Sequence, residues 1–296
     1  MNSMQPIEAK ILGQQIAYPQ KYSPEILVAV PRSLNREIYK IDDNDLPFKG
    51  FDIWHAYELS FLTTKGLPVT GVLKLKYPSN STFLVESKSL KLYLNGFNME
   101  RFGNDSETGV EEVVKIIKTD LSGLLKTDVE TAFFNESLGL TSHFDFHDFK
   151  LLETLDEIQN IEFNAFNETP ELLKPSDKLS GKIKVATHLL RSNCKITNQP
   201  DWGSAFILMK AEQLPELTGL LQYLVSIRNE NHFHEEICEM IYNRLWDKFS
   251  PEELMVACIY TRRGGIDICP VRANNEELFP KFLCNAKELS AKMLRQ

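Results

Sequence analysis

Apolar and polar positions alternate along parts of the first half of the chain, and elsewhere apolar residues recur at three- and four-residue spacing. Alternation is typical of half-buried strands, and the wider spacing is typical of amphipathic helices. The pattern of this half predicts strands at 51–59 and 69–77, helices at about 87–99 and 107–126, and strands at 129–134 and 161–166. Prolines at positions 6, 19, 24 and 31 predict an irregular lead-in over residues 1–45.

The second half repeats this order of elements without repeating the residues. Its pattern predicts strands at 182–190 and 203–209, helices at 214–228 and 233–249, and strands at 254–261 and 265–271. Antiparallel hairpins with helices grouped on one face indicate an α+β fold. A Rossmann fold is not indicated, since the chain has neither a G-x-G-x-x-G sequence nor a P-loop. We therefore predict two domains, residues 1–150 and 151–296, each with the order ββααββ.

Composition narrows the function classes. The chain has 296 residues, 43% of them hydrophobic, which is enough for a packed core. A net charge of -8 argues against a protein that coats nucleic acid, although it leaves room for a small basic pocket. No run approaches the ~20 apolar residues of a membrane span, and the N-terminus lacks a signal-peptide pattern. We expect a soluble, cytoplasmic protein without a nucleic-acid or membrane partner.

The five cysteines are an odd number, and all lie in the second half of the chain. Together with the absence of a secretion signal, this number predicts reduced thiols and no disulfide framework. No two cysteines have the C-x-x-C spacing, so the sequence gives no local support for a structural zinc site.

The segment 86–93, ESKSLKLY, begins the first predicted helix with polar residues. Glu86 suits the positive end of the helix dipole, and Ser87 is a reasonable N-cap. Lys88 does not suit that end. With Ser89 and the free N–H groups of the first turn, it predicts an anion site for a group such as phosphate. The alternative is an ordinary solvated helix start.

Cys194 lies in a polar connection between two predicted strands. The adjacent Lys195 is expected to lower the pKa of the thiol. Asp201 ends the same loop and is placed to return toward the sulfur. A thiolate with a nearby carboxyl group provides a nucleophile and a proton donor. The alternative is a loop thiol without a role.

His234 and Glu235 open the second helix of the second half. A carboxylate is the natural partner of a flat edge with N–H and NH2 groups, such as that of a guanine-like base. Histidine can bind beside it or relay a proton near neutral pH. The alternatives are a half-buried histidine on the face shared with Cys238, and a surface carboxylate.

The sequence Arg262-Arg263-Gly264-Gly265 separates the last two predicted strands, where paired glycines signal a hairpin. Arginine beside glycine suits phosphate recognition, because glycine lets a ligand approach the backbone. The commoner alternative is a charged hairpin tip.

Taken together, these segments resemble the NADPH-dependent 7-cyano-7-deazaguanine reductases, the nitrile reductases of queuosine biosynthesis. Residues 86–93 match that family's signature, E-[SL]-K-[SA]-hydrophobic-K-[LY]-[YFW], at every position. The cysteine loop, the F-H-E-E helix start and the T-R-R-G-G hairpin also resemble the family. The order of these motifs is that of its long, two-module form.

The resemblance implies a tunnelling fold (T-fold) with two ββααββ modules, and a homodimer. It implies that two NADPH reduce the nitrile of a deazaguanine base to an aminomethyl group, without a metal. Cys194 would form a covalent thioimide with the nitrile carbon, and Asp201 would protonate the nitrile nitrogen. The implied substrate-binding residues are Glu86, Ser87, Lys88, His234 and Glu235, and the implied NADPH-binding residues are Lys88, Ser89, Arg263 and Gly264. Residues around Phe233 are expected to close over the substrate.

Other functions remain compatible with the sequence. A zinc-dependent T-fold cyclohydrolase would need cysteine and histidine ligands, and His188 precedes Cys194 by six residues. A cysteine-dependent nitrilase or amidase would use water in place of hydride. A non-catalytic purine- or pterin-binding module would not need Cys194.

Overall fold

The computed structural model describes residues 21–135, 143–177, 180–293 and 296. Its strands are β1 (Ala29–Pro31), β2 (Lys49–Leu62), β3 (Pro68–Pro78), β4 (Phe83–Val85), β5 (Glu130–Phe134), β6 (Lys150–Leu151), β7 (Gly181–Asn193), β8 (Pro200–Ala211), β9 (Glu253–Tyr260) and β10 (Ile266–Ala273). Its α-helices are α1 (Ser33–Arg36), α2 (Ser87–Asn95), α3 (Ser106–Leu125), α4 (Leu217–Ser226), α5 (His234–Phe249) and α6 (Lys281–Cys284).

Eight of these strands form one sheet, in the order β5-β3-β2-β10-β9-β8-β7-β6. All neighbours are antiparallel except β6 and β7, which are parallel. The strands of the two halves meet where β2 pairs with β10, from Ala56 opposite Ile266 to Lys49 opposite Ala273. Strands β1 and β4 form a separate two-stranded sheet. The predicted α+β class is confirmed.

The long helices share one face of the sheet. Leucines and isoleucines of α2 and α3 pack on β2 and β3, and those of α4 and α5 pack on β7, β8 and β9. The other face is covered by residues around Phe146 and by the C-terminal segment that includes Leu283. Apolar residues at helical spacing therefore bury the helices where the sequence pattern predicts them. Across the described ranges, no helix has both the length and the apolar character needed to cross a bilayer.

Two predictions about local structure are wrong. Residues 161–166 form no strand but follow the 3-10 helix Asp156–Asn160, and the strand beside β7 is β6. The alternation at Ile161 and Phe163 reflects one-sided packing, since Phe163 contacts the core beneath α4 without pairing with a strand. The lead-in is also not uniformly irregular, because residues 21–45 include β1, α1 and the 3-10 helices Pro24–Ile26 and Glu37–Tyr39. Residues 1–20 of the predicted lead-in lie outside the described residues.

Candidate active site

One cavity brings together most of the predicted site residues. About 710 Å³ of space between its walls, including space open to solvent, is filled by no protein atom. Its walls come from the start of α2 (Glu86, Ser87, Lys88 and Lys91), from the cysteine loop and β8 (Cys194, Ile196 and Asp201), from residues 232–235, and from Arg263. Its apolar side is formed by Trp54, Leu84, Val85, Ile266 and Ile268. The cavity therefore lies where the two halves of the chain meet at β2 and β10.

The first turn of α2 is capped by Glu86 and not by Ser87. The Glu86 carboxylate accepts hydrogen bonds from the backbone N–H groups of Lys88 at 2.9 Å and Ser89 at 2.7 Å. Burial raises the pKa of Glu86, and these two N–H groups oppose the rise. The predicted anion site on free N–H groups is wrong for these two groups, because the protein's own carboxylate occupies them.

Lys88 and Ser89 point in different directions. The Ser89 side chain is fully buried, where its hydroxyl donates to the carbonyl of Glu86 at 2.7 Å and accepts from the N–H of Val28 at 3.1 Å. Ser89 therefore does not line the cavity, and its predicted contact with NADPH has no support in the geometry. Lys88 does line the cavity, and burial followed by the charge of Arg263 lowers its pKa.

Cys194 follows β7 directly, in a tight loop closed at both ends. Its backbone N–H donates to the carbonyl of Gln199 at 2.8 Å, and its carbonyl accepts from Asn198 at 2.9 Å. Burial of the sulfur would raise the pKa of Cys194. The Thr197 hydroxyl, the N–H groups of Thr197 and Ile196, and the charge of Arg263 together lower it. The loop thus favours a thiolate.

Lys195 is not among the main causes of that shift. Its ammonium group hydrogen-bonds to the side-chain oxygen of Asn35 and lies 3.8 Å from the Glu236 carboxylate. The predicted direction of the Cys194 pKa shift is confirmed, but its main causes are groups of the loop itself and Arg263. The loop amides can approach the sulfur because the chain turns back on itself within residues 194–199.

Asp201 lies in the same cavity as Cys194, at the second position of β8. Its Oδ1 contacts the guanidinium of Arg263 in an ion pair and lies 3.4 Å from Nε2 of His234. Arg263 also donates to the side-chain oxygen of Gln199 at 2.9 Å. One arginine thus connects the end of the cysteine loop to the predicted proton donor.

His234 is packed as well as exposed to the cavity. Its ring stacks on Tyr260, with 3.7 Å between the ring centroids and 6° between the planes. Burial and the charge of Lys88 lower the pKa of His234 to about 3. The imidazole is therefore neutral near pH 7, and the predicted proton relay near neutral pH is not supported. Its Nδ1 is buried and has no hydrogen-bond partner among the described residues.

Glu235 is buried, with 2% of its surface exposed, so the alternative of a surface carboxylate is wrong. Its Oε1 lacks a hydrogen-bond partner within the described ranges. Burial and the charge of Asp52 raise the pKa of Glu235 to about 8, against the opposing charges of Arg32 and Arg272. A buried carboxyl group without a partner for one oxygen is costly unless a ligand supplies the hydrogen bond.

A buried charge network lies behind Glu235 and was not predicted from the sequence. Its members are Arg32, Arg36, Asp52, Glu239 and Arg272. Arg272 donates to Glu239 at 2.9 and 3.1 Å, Arg36 donates to it at 2.7 and 2.9 Å, and Arg32 pairs with Asp52. The sequence does contain an indication of this network, because the charged residues Asp52 and Arg272 lie within apolar strands. A charge buried in such a strand needs a partner of opposite charge.

The hairpin between β9 and β10 forms the rim of a second, adjoining cavity that is open to solvent. Gly264 and Gly265 have positive φ angles of 57° and 77°, which favour glycine, and both line this cavity. Lys91 lines both cavities. Sequence reasoning missed Lys91, although its spacing of three residues from Lys88 places both lysines on one face of α2.

The zinc alternative has no geometric support at Cys194. His188 hydrogen-bonds to Ser204 at 2.8 Å and lines a different cavity. In the part of the chain that the structure describes, the one cluster with metal-ligand spacing is His55, Asp267 and Cys269, outside the site. There, Asp267 accepts from His55 at 2.7 Å and Tyr57 at 2.5 Å.

Comparison with known proteins identifies the class to which this site belongs. Residues 18–133 match the family model described as "Nitrile reductase, 7-cyano-7-deazaguanine-reductase N-term". Residues 200–278 match the model described as "QueF-like protein".

Individual relatives match over nearly the whole chain. A protein of Chromohalobacter salexigens is 37% identical over 95% of this chain and 98% of its own length. A protein of Dechloromonas aromatica is 38% identical over 93% of this chain and 94% of its own length. A protein of Legionella pneumophila strain Paris is 39% identical over 88% of this chain and 88% of its own length. All three are named NADPH-dependent 7-cyano-7-deazaguanine reductase. The chain belongs to this family, which confirms the resemblance.

Proposed function

We propose that this protein uses NADPH to reduce the nitrile of 7-cyano-7-deazaguanine to an aminomethyl group, through a covalent thioimide on Cys194. One observation carries the proposal: Cys194, Asp201 and Glu235 line a single cavity. These three residues supply a nucleophile, a proton-transfer group and a carboxyl group for the base. The names of the relatives support the substrate and the reductant.

The first chemical step needs only the chain's own residues. The sulfur of Cys194 adds to the nitrile carbon, so one C–S bond forms and the C≡N bond becomes C=N. The nitrogen takes one proton, and the thiol loses one, so the addition balances without another reagent. Asp201 pairs with Arg263 and lines the same cavity as Cys194, so it is placed to accept the thiol proton and donate it to the nitrogen.

Recognition of the base is the role of the start of α5. In its ionised form, Glu235 can accept two parallel hydrogen bonds from the N–H and NH2 groups of a guanine-like edge. The neutral ring of His234 offers Nδ1 as an acceptor, since Nε2 faces Asp201. Ser87 lines the cavity and can contact the base, whereas both oxygens of Glu86 cap α2.

The residues at the rim fit NADPH. When bound, NADPH supplies the hydrides that the nitrile needs for reduction. Lys88 and Arg263 line the main cavity, and Lys91 lines both cavities, so cationic groups are available to phosphate. A Cβ added to Gly264 would lie 2.7 Å from Nζ of Lys91. Because glycine has no side chain, the Lys91 ammonium can lie close to the backbone of the hairpin. Glu58 also lines the second cavity, and its charge disfavours phosphate on that side.

The proposal extends to architecture and context. The second half has the order β7-β8-α4-α5-β9-β10, which supports a ββααββ T-fold module over residues 151–296. The first half departs from the predicted order, because among its described residues only one strand, β5, follows α2 and α3 before β6. We propose that residues 1–150 form the other T-fold module and that the two are joined through β2 and β10. Strand β6 (Lys150–Leu151) pairs with β7 of the second module, so the proposed boundary between residues 150 and 151 falls within β6. A homodimer, a place in queuosine biosynthesis and a cytoplasmic location remain predictions. The mass of the protein in solution, measured by light scattering, tests the dimer.

The test of the proposed function is NADPH oxidation with the nitrile as substrate. The proposal requires loss of the reduced-nicotinamide absorbance together with formation of the amine, and no turnover by Cys194→Ala. A nitrilase or amidase would release acid or amide without consuming NADPH. A non-catalytic binding module would bind the base equally well with and without Cys194.

A further inference from the structure

A short helix of the N-terminal segment, α1, contacts residues that lie next to the site in the other half of the chain. Asn35 of α1 is 3% exposed. Its side-chain NH2 donates to Oε1 of Glu236, and its side-chain oxygen accepts from Nζ of Lys195. In the reverse orientation, the Asn35 carbonyl oxygen would face the Glu236 carboxylate and its NH2 group would face the Lys195 ammonium, so neither hydrogen bond could form. The chemistry of its two partners therefore determines the orientation of the amide.

The two partners of Asn35 are sequence neighbours of two proposed site residues. Lys195 directly follows Cys194, and Glu236 directly follows Glu235. The Lys195 ammonium is 3.8 Å from the Glu236 carboxylate, too far for a good hydrogen bond, so the amide bridges the two charges. One side chain thus connects the cysteine loop to the start of α5.

The other oxygen of Glu236 continues the connection. It lies 3.0 Å from Nδ1 of His232, whose Nε2 lies 2.9 Å from the Tyr39 hydroxyl. His232 lines the main cavity. The hydrogen-bonded chain therefore runs from Tyr39 to His232, Glu236, Asn35 and Lys195, and residues 35 and 39 hold it from outside the second half.

We infer that Asn35 is a positioning residue, which holds the cysteine loop and the start of α5 in the relative placement that the addition of sulfur to the nitrile requires. This role rests on the proposed function. Asn35 does not line the cavity and touches neither the sulfur nor the Glu235 carboxyl group, so it acts through Lys195 and Glu236. Displacing a nucleophile by about 1 Å can slow a reaction ~100-fold. Asn35 is thus expected to affect rates more than overall folding.

Three variants separate the two contacts. Asn35→Ala removes both, and Asn35→Asp keeps an acceptor for Lys195 while repelling Glu236. Asn44→Ala is the matched control, because Asn44 is an exposed asparagine of the same segment that bonds only to Asp42 among the contacts described. Two rates are measured by mass spectrometry: alkylation of Cys194 by iodoacetamide, and formation of the nitrile adduct without NADPH.

We expect Asn35→Ala to slow both reactions by ~10-fold or more, because the loop and the helix start lose their common anchor. Asn35→Asp should keep alkylation near the wild-type rate and slow only adduct formation, whereas Asn44→Ala should change neither. Wild-type rates in a folded Asn35→Ala protein would overturn the inference. If that variant does not fold, Lys195→Met and Glu236→Gln make the same comparison, and wild-type rates in both would overturn it.

The rate of Cys194 alkylation tests the role of Asn35 independently of the proposed function. Iodoacetamide needs neither the nitrile nor NADPH, so its rate reports on the loop alone. If the wild-type protein forms no nitrile adduct, the proposed function fails. The effect of Asn35 on Cys194 alkylation still shows whether the side chain positions the loop.

Discussion

Nε2 of His234 lies 3.4 Å from Oδ1 of Asp201, which joins the start of α5 to the strand that follows the cysteine loop. The His234 ring stacks on Tyr260 on one side, and Arg263 holds the same oxygen of Asp201. The proton-transfer group and one wall of the base site are therefore parts of one packed unit. A change at either residue should affect binding or chemistry in a distinguishable way.

His234→Phe should preserve the stacking on Tyr260 and remove the ring nitrogens. We expect the KM for the nitrile to rise ~5- to 10-fold, the effect of one neutral hydrogen bond of about 1 kcal/mol. The ring is neutral between pH 5 and 8, so the variant should not change the shape of the pH–rate profile there. Steady-state kinetics across that range measure both effects, and a change in the profile would show that the imidazole titrates during catalysis.

The same variant makes a prediction about acid stability. The pKa of His234 is about 3 in the folded protein and 6.5 for an ordinary histidine. As pH falls below about 6.5, the unfolded chain binds a proton that the folded protein does not, so folding loses stability down to pH ~3. His234→Phe lacks this loss. The melting temperature of the variant minus that of the wild type should therefore increase as the pH falls from 7 to 4. A difference independent of pH would contradict a depressed pKa.

Binding of the base should release a proton from Glu235 of the wild-type protein, and Glu235→Gln should abolish this release. The pKa of Glu235 is raised to about 8, so the carboxyl group is largely protonated at pH 7 in the free protein. A base that donates two hydrogen bonds needs the carboxylate, so binding should release close to one proton. Calorimetry in two buffers of different ionisation enthalpy measures this number. It should fall toward zero in Glu235→Gln, with affinity ~10- to 100-fold weaker.

The stability of Glu235→Gln gives an independent check. With a folded pKa above the ordinary value of 4.5, the carboxyl group favours folding at low pH, and this contribution is lost as pH rises from about 4.5 to about 8. The variant should therefore gain stability relative to the wild type across that interval. Glu107→Gln, at an exposed position of α3, is the control and should show no such trend. If the stability of Glu235→Gln, like that of Glu107→Gln, changes with pH in parallel with the wild type, the pKa of Glu235 is not raised.

Asp201→Asn keeps the size of the side chain but removes its capacity to carry the proton. Formation of the adduct on Cys194 should slow ~10²- to 10⁴-fold, the usual contribution of a positioned acid or base. The dissociation constant of the nitrile should change only a few-fold, because the base edge is bound by Glu235. Single-turnover mass spectrometry gives the rate. An unchanged rate would mean that another group or water protonates the nitrogen.

Gly264→Ala should weaken the binding of NADPH. The φ angle of Gly264 is 57°, where a side chain costs about 1–2 kcal/mol, and its Cβ would displace Lys91. The KM for NADPH should rise while the affinity for the nitrile stays constant. Gly123→Ala in α3 is the control, because a Cβ there meets nothing within 4 Å and should stabilise the helix by about 0.5–1 kcal/mol. Equal KM values for all three proteins would remove Gly264 from the NADPH site.

Much of the fold follows from local sequence patterns. Most predicted strands and helices lie within a few residues of the observed ones, because their apolar spacing records which face is buried. In β2 the alternation is irregular near Tyr57, where pairing with β3 shifts between Ala56 and Leu59. The joining of the two halves into one sheet was not predicted, because β2 and β10 are about 200 residues apart and no local pattern encodes their pairing.

The site was predictable where residue type and position agree. Cys194 lies in a loop of turn-forming residues, Asp201 lies at the start of the strand that follows this loop, and Glu235 lies in the first turn of α5. Arg32, Asn35 and Arg36 could not be assigned in this way. Such polar residues are usually solvent-exposed, and here they are buried against acidic partners that no local pattern reveals. Arg32 pairs with Asp52 of β2, and Asn35 and Arg36 pair with Glu236 and Glu239 of α5, from the other half of the chain.

The most direct test of the proposed chemistry is the mass of the intact protein after incubation with 7-cyano-7-deazaguanine in the absence of NADPH. A covalent thioimide predicts a gain equal to one molecule of the nitrile, located on Cys194 by peptide mapping, absent from Cys194→Ala, and lost when NADPH is added. A wild-type protein that produces the amine from this nitrile while Cys194 never carries the added mass would contradict it.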